Sequence, residues 1–87
     1  MDVIAIPVVL SAEDKLLRAI SRSDVSLDEV IALGIDLGSQ LQALDVHGRT
    51  LALTRLRSKA EESRAAGAVT DAVLIELVMR SLQRFLR

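Results

Sequence analysis

In this 87-residue chain, the strongest candidates for a functional role are the basic side chains of the second half. The densest group comprises Arg49, Arg55, Arg57, Lys59 and Arg64. Guanidinium and ammonium groups clustered in this way bind phosphate oxygens, the chemistry by which proteins hold nucleic acids. The group therefore indicates an anionic partner, although a solvated surface of uneven charge is the other interpretation that these residues allow.

The charge is divided unevenly along the chain. Residues 1–45 carry three basic and eight acidic side chains, a net charge of −5, whereas residues 46–87 carry eight basic and four acidic ones, a net charge of +4. Such polarity can steer an anionic partner toward one end of the molecule, and it can also let two copies associate head to tail.

The sequence offers few candidate residues for disulfides, metal binding or catalysis. The chain has no cysteine, which excludes disulfides and zinc–thiolate sites. Its single histidine, His47, precedes Gly48 in a predicted turn, where a structural or incidental role is expected. The sequence contains neither a cluster with metal-ligand spacing nor a serine nucleophile with a histidine base in reach. We therefore expect no metal, no cofactor and no enzymatic activity.

Length and composition indicate the class of protein. A chain of 87 residues, 51% of them hydrophobic, fits one compact domain over residues 1–87. No apolar run approaches the roughly 20 residues that span a bilayer. The chain opens with Met1 and Asp2 where a secretory signal would have basic residues. We expect a cytoplasmic protein with no membrane partner.

The first half of the chain predicts a strand followed by two helices. Val3–Leu10 is rich in β-branched residues and contains Pro7, which suits an edge strand. A capping box then predicts a short helix over Ser11–Arg22. Ser26 opens a second capping box, which predicts a longer helix over Leu27–Leu44.

The second half is predicted to follow the same order. Asp45–Gly48 is predicted to be a turn, and the alternation within Arg49–Arg57 predicts a strand. A capping box in form predicts a short helix over Ser58–Ala66, which Gly67 ends. The last helix is predicted over Thr70–Leu86, with a start that can lie one residue earlier.

The two long helices carry apolar arcs that are wider than contact with one neighbour requires. Gly34 and Gly38, one turn apart, fit the close approach of another backbone. These features predict an oligomer interface formed by Val30, Gly34, Leu37, Leu41, Leu77, Leu82 and Phe85. Replacing Leu37 with aspartate is therefore expected to break association, because it puts a charge in the seam between helices.

The parallel order of elements suggests an internal repeat, with repeat one over residues 3–45 and repeat two over residues 49–87. Ile4–Ile6 aligns with Leu51–Leu53 at an offset of 47, and Leu33 aligns with Leu77 at an offset of 44. The predicted fold class is mainly α with a short antiparallel two-stranded ribbon. Its tandem strand–helix–helix repeats would form a dimeric or pseudo-dimeric core.

With these elements in this order, the chain resembles the ribbon-helix-helix family. The resemblance is carried by Ile4–Asp14 and then by Val25–Ile31, and it extends over nearly the whole chain. Members of that family are mostly small repressors, antitoxins and plasmid-transfer factors. The resemblance implies that two strands pair into a ribbon that enters the major groove of double-stranded DNA, and that the N-terminus of each long helix grips a phosphate. It thus implies a DNA-binding regulator of transcription.

The resemblance also implies which residues would touch DNA. On the second strand and at the two helix starts, these are Arg49, Thr50, Thr54, Arg55, Arg57, Ser26 and Thr70. The sequence departs from the family pattern, since the first strand offers no Arg, Lys, Asn or Gln for reading bases and the first half is acidic.

Two other interpretations therefore stay open. One is a non-enzymatic protein-interaction or oligomerisation module built on the same helices, with a second copy or another protein as partner. The other is an all-helical bundle with an ordered N-terminal arm.

Overall fold

The protein folds into four α-helices in the computed structural model, which describes residues 11–22 and 24–86. The helices are α1 (Ser11–Ser21), α2 (Leu27–Gln42), α3 (Val46–Ala65) and α4 (Val69–Phe85). No residue within the described ranges lies in a strand. The mainly α class is therefore confirmed, whereas the two-stranded ribbon is wrong for the second half of the chain. The strand predicted at Val3–Leu10 lies outside the described residues.

The segment predicted as strand, cap and short helix is the single helix α3. Asp45 caps it, because its Oδ1 accepts a hydrogen bond from the Gly48 amide at 2.8 Å. Ala52, Leu56 and Ala60 then form its buried stripe at intervals of four residues. Two of these three side chains are small alanines, so the hydrophobic pattern of a helix is weak in the sequence. The neighbouring Leu51 and Leu53 alternate with other residues, which is the pattern expected of a strand. The tandem strand–helix–helix arrangement is accordingly wrong.

Several predicted helix ends are confirmed. Ser26 caps α2, since its Oγ accepts a hydrogen bond from the Glu29 amide at 3.1 Å. Gly67 follows α3 with a φ of 85°, a left-handed conformation that glycine adopts without a steric cost. The start of α4 lies at Val69, where no side chain caps the helix, and Thr70 is its second residue.

The four helices form two antiparallel pairs that pack side by side. In the first pair, the Gln40 side chain near the end of α2 donates to Ser11 Oγ (3.0 Å) and accepts from the Ala12 amide (3.1 Å) at the start of α1. In the second pair, Arg64 of α3 forms an ion pair with Glu76 of α4 at 2.7 Å. Between the two pairs, the most extensive contact is that of α2 with α4, and these two helices run in the same direction.

The core lies where all four helices face one another. Its largest fully buried side chains are Leu16, Leu37, Leu41 and Leu56, which come from α1, α2 and α3. The fourth helix adds Ile75, Val78, Met79 and Leu82. None of the helices described here has the length and apolar character needed to cross a membrane.

Candidate functional site: an apolar cleft between α2 and α4

Among the described residues, the most buried charged group is that of Glu13, and Arg55 forms an ion pair with it. The guanidinium of Arg55 binds the carboxylate through two parallel hydrogen bonds, Nε to Oε2 at 2.9 Å and Nη2 to Oε1 at 2.7 Å. Glu13 is only 2% exposed. The hydrogen bonds to this carboxylate raise the pKa of Arg55, against a smaller opposing effect of burial. Arg55 therefore joins α3 to α1 and is not available for a phosphate.

Arg49 is also engaged within the fold. Its Nε donates to the Leu41 carbonyl (3.0 Å) and its Nη2 to the Gln42 carbonyl (3.1 Å), both at the C-terminal end of α2. Carbonyls at this end of a helix lack the usual intrahelical donors, although the Leu41 carbonyl also accepts a hydrogen bond from the Leu44 amide at 3.0 Å. A cation there also suits the helix dipole. The Arg49 side chain thus caps the C-terminal end of α2, whereas the sequence predicts that it contacts DNA.

We expect Arg49→Ala to lower the free energy of unfolding by about 1 kcal/mol, because two helix-end carbonyls lose a charged donor. Arg57→Ala is the matched control, since Arg57 lies exposed on the same helix, and it should change stability by less than about 0.5 kcal/mol. Urea unfolding followed by circular dichroism measures both. Equal effects of the two substitutions would contradict the capping role of Arg49.

The remaining predicted DNA contacts do not form one surface with these arginines. Thr50 and Thr54 donate their hydroxyl hydrogens to carbonyls one turn earlier in α3, and they share an exposed side of that helix with Arg57. Ser26 and Thr70 lie at the other end of the molecule, where both line one pocket at the starts of α2 and α4.

The most apolar pocket of the described surface is a cleft between α2 and α4, with a volume of about 330 Å³. We call it the α2–α4 cleft. Its rim consists of half-exposed side chains, namely Leu27, Ile31, Ile35, Leu77 and Phe85. Its floor consists of more buried residues, namely Val30, Gly34, Gly38, Leu74, Val78 and Leu82. Ile35 is 64% exposed, an unusual value for an isoleucine in the middle of a helix.

Of the two glycines of α2, Gly38 is the one that the close approach of α4 requires. A Cβ atom on Gly38 would lie 3.1 Å from Cε2 of Phe85, which is tighter than ordinary contact. A Cβ on Gly34 would lie 3.8 Å from Cγ1 of Val78, a normal contact distance. Gly38 therefore makes room for the Phe85 ring, and the close approach predicted from the two glycines is made by side chains of α4.

The lining of the α2–α4 cleft offers little for catalysis or for a polar ligand. Among the described residues, Ser81 supplies the only side-chain hydroxyl of the lining, and no charged side chain faces it. In the described part of the chain, no three His, Cys, Asp or Glu residues are grouped so that they could hold a metal ion. The cleft can therefore exclude water from apolar surfaces, but it has no groups that could hold a charged substrate.

The structure brings part of the predicted interface to this cleft. Gly34, Leu77 and Phe85 line it in accessible positions. Val30 and Leu82 lie in its floor, whereas Leu37 and Leu41 are fully buried in the core of the chain itself.

The prediction omitted the three exposed rim residues of α2, which are Leu27, Ile31 and Ile35. They recur every four residues, so they form a second apolar row beside the buried one. The width of the apolar arc is the signal that could have found them.

Comparisons with models of known protein families, with curated proteins and with solved structures find no match to this chain. The resemblance to the ribbon-helix-helix family thus stays a prediction, and the ribbon that it implies is wrong for residues 49–57.

Proposed function

We propose that this protein is a non-enzymatic interaction module, in which the α2–α4 cleft packs against an apolar helical surface of another polypeptide chain. The observation that carries this proposal is the row of half-exposed aliphatic and aromatic side chains on both sides of the cleft. Small folded proteins seldom leave a contiguous apolar surface of more than a few hundred Å² in water unless it binds a partner.

The shape of the cleft supports a helix as the element that fills it. Leu27, Ile31 and Ile35 form a ridge along α2, and Leu77 and Phe85 form a facing ridge along α4. Ridges of this spacing receive the side chains of another helix, as when an amphipathic helix lies in an apolar groove. The lack of charged groups in the lining disfavours a polar small molecule, which needs fixed polar groups to orient it.

A peptide of residues 69–85 of this chain, labelled with fluorescein, is a suitable amphipathic probe for the cleft. We expect it to bind the full-length protein in an anisotropy titration. Ile35→Asp should weaken this binding by about tenfold or more, because the new carboxylate would be covered without a partner.

Leu51→Asp is the matched control, because Leu51 is a half-exposed aliphatic residue on α3, away from the α2–α4 cleft. It should leave the affinity for the peptide within about twofold of the parent value. Circular dichroism would verify that both variants keep their helices. If the peptide binds the Ile35→Asp protein as tightly as the parent, the cleft is not the binding surface and the proposal is wrong.

Binding to double-stranded DNA stays a prediction that the contacts do not favour. Arg49 and Arg55 are held by a helix end and by a buried carboxylate. The ribbon that would have entered the major groove is replaced by α3 over residues 49–57. We therefore do not propose a repressor or antitoxin function.

A further inference from the structure

We propose that the partner of the α2–α4 cleft is a second copy of this chain. The two copies are related by a two-fold axis parallel to α2 and α4, so that α2 of each copy covers α4 of the other. This inference rests on the interaction function proposed above and names its partner. Two kinds of observation carry it, the register of the two helices and the charges beside the cleft.

The register of α2 and α4 makes such an arrangement geometrically simple. Gly34 lies against Val78, and Gly38 lies against Leu82 and against the ring of Phe85 one turn further on, so residues separated by about 44 positions stand level with each other. Because the helices run in the same direction, a rotation of 180° about an axis parallel to them exchanges their places without changing the levels. Each residue of α2 then faces the level residue of the partner's α4.

The charges outside the rim are complementary in this arrangement. The exposed residues Asp28 and Asp36 make the solvent side of α2 acidic, whereas Arg80 and Arg84 make that of α4 basic. Asp36 and Arg80 are 44 positions apart and therefore level. Neither forms an ion pair with another residue in the described ranges. Across the proposed axis, Asp36 faces the partner's Arg80, and this pair occurs twice.

The alternative two-fold axis, perpendicular to the helices, is disfavoured by the same charges. It would place α2 on the partner's α2 and α4 on the partner's α4. Acidic side chains would then oppose acidic ones and basic side chains would oppose basic ones, which weakens association. The charge pattern therefore selects the parallel axis.

The size of the face is adequate for a dimer. Two adjacent helices, each about 10 Å wide and about 24 Å long, present roughly 500 Å² in projection. The relief of the side chains increases the accessible area toward the roughly 800 Å² per partner that stable interfaces bury. A chain of 87 residues has a small core of its own, so covering this face also stabilises each copy.

The test is the mass of the full-length protein in solution, measured by sedimentation equilibrium over a range of concentrations. We expect a concentration-dependent dimer that Ile35→Asp converts to a monomer and Leu51→Asp leaves unchanged. Asp36→Arg and Arg80→Asp should each weaken the dimer by about tenfold, because each replaces two attractions with two repulsions. Glu61→Arg on α3 raises the net charge by 2, as Asp36→Arg does, so it is the control for that variant and should have no effect.

An equimolar mixture of the Asp36→Arg and Arg80→Asp proteins provides the decisive measurement. In their heterodimer, the arginine introduced into one copy faces the aspartate introduced into the other, and the native Asp36 and Arg80 face each other at the second pair. Both pairs therefore attract. Native mass spectrometry, which separates the species by mass, should find mainly the heterodimer. A mixture that stays as weakly associated as its components would overturn the parallel two-fold axis.

Two other results would overturn the inference and would separate it from the proposed function. If the parent protein is monomeric at all concentrations while the labelled peptide binds at the cleft, the second copy is the wrong partner and the interaction function stands. If the protein neither dimerises nor binds the peptide, both proposals are wrong. A dimer that persists in Ile35→Asp would place self-association on another surface.

Discussion

Leu37→Ala is expected to lower the free energy of unfolding by about 2–5 kcal/mol, the usual cost of removing a fully buried leucine from a core. Leu37 has no exposed surface, and it packs with Leu16, Leu41 and Leu56 where the helices converge. The four carbons of its side chain fill space that neighbouring helices cannot close without moving. An 87-residue domain has a total stability of the order of 5–10 kcal/mol, so this one substitution should remove a large part of it.

Leu51→Ala is the control for the Leu37 prediction, because the same chemical change is made at a half-exposed position. It should alter stability by less than about 0.5 kcal/mol. Urea unfolding of the three proteins provides the comparison. Similar losses for both variants would mean that Leu37 is not at the centre of the core.

The burial of Leu37 also corrects what the sequence predicts for Leu37→Asp. An aspartate at this position would put a carboxylate into the core of the chain itself, where it would have no partner. The expected result is loss of folding. Association is tested at Ile35, two residues earlier, whose side chain faces outward beside the α2–α4 cleft.

The second large effect is expected at the ion pair between α1 and α3. Arg55→Leu should cost about 3 kcal/mol, because it leaves the buried carboxylate of Glu13 without its two hydrogen bonds. Arg55 is itself 30% exposed at the side chain, so its own transfer from water is incomplete and the loss stays below that of a wholly buried pair.

A double-mutant cycle separates the pair from other consequences of the change. Replacing both Glu13 and Arg55 with leucine should recover most of the stability lost in Arg55→Leu, because no charge is then left buried. Urea unfolding of the parent, the two single variants and the double variant supplies the coupling energy. If the effects of the two single changes simply add, the ion pair does not contribute to the fold.

The raised pKa of Arg55 determines how this pair depends on pH. A basic group whose pKa is higher in the folded state contributes stability below its unfolded value and loses it as the pH rises through the folded value. Arginine is charged at neutral and mildly alkaline pH even without this shift, so the guanidinium keeps its contribution there. We expect the arginine side of the pair to be insensitive to pH in unfolding measurements over that range.

The local sequence determined those features that depend on neighbouring residues. The Ser26 hydroxyl reaches the Glu29 amide three residues later, and Gly67 ends α3 in a conformation that glycine favours. Such contacts lie within one turn of the chain, so the residue types alone reveal them. The ambiguity appears at residues 49–57, where leucines alternate and the helical stripe contains small alanines. In that segment, the packing of Ala52 and Leu56 against the other helices favours a helix over a strand.

Tertiary structure alone decided the features that join distant parts of the chain. Glu13 and Arg55 are 42 positions apart, and nothing in their local sequences marks them as partners. The apolar arcs of α2 and α4 could be recognised from their width. Which residues of those arcs enter the core and which line the cleft depends on the angle and register at which the helices pack. Leu37 is buried in the core and Ile35 lies exposed at the rim of the cleft, although they are only two positions apart, because a helix turns by about 200° between them.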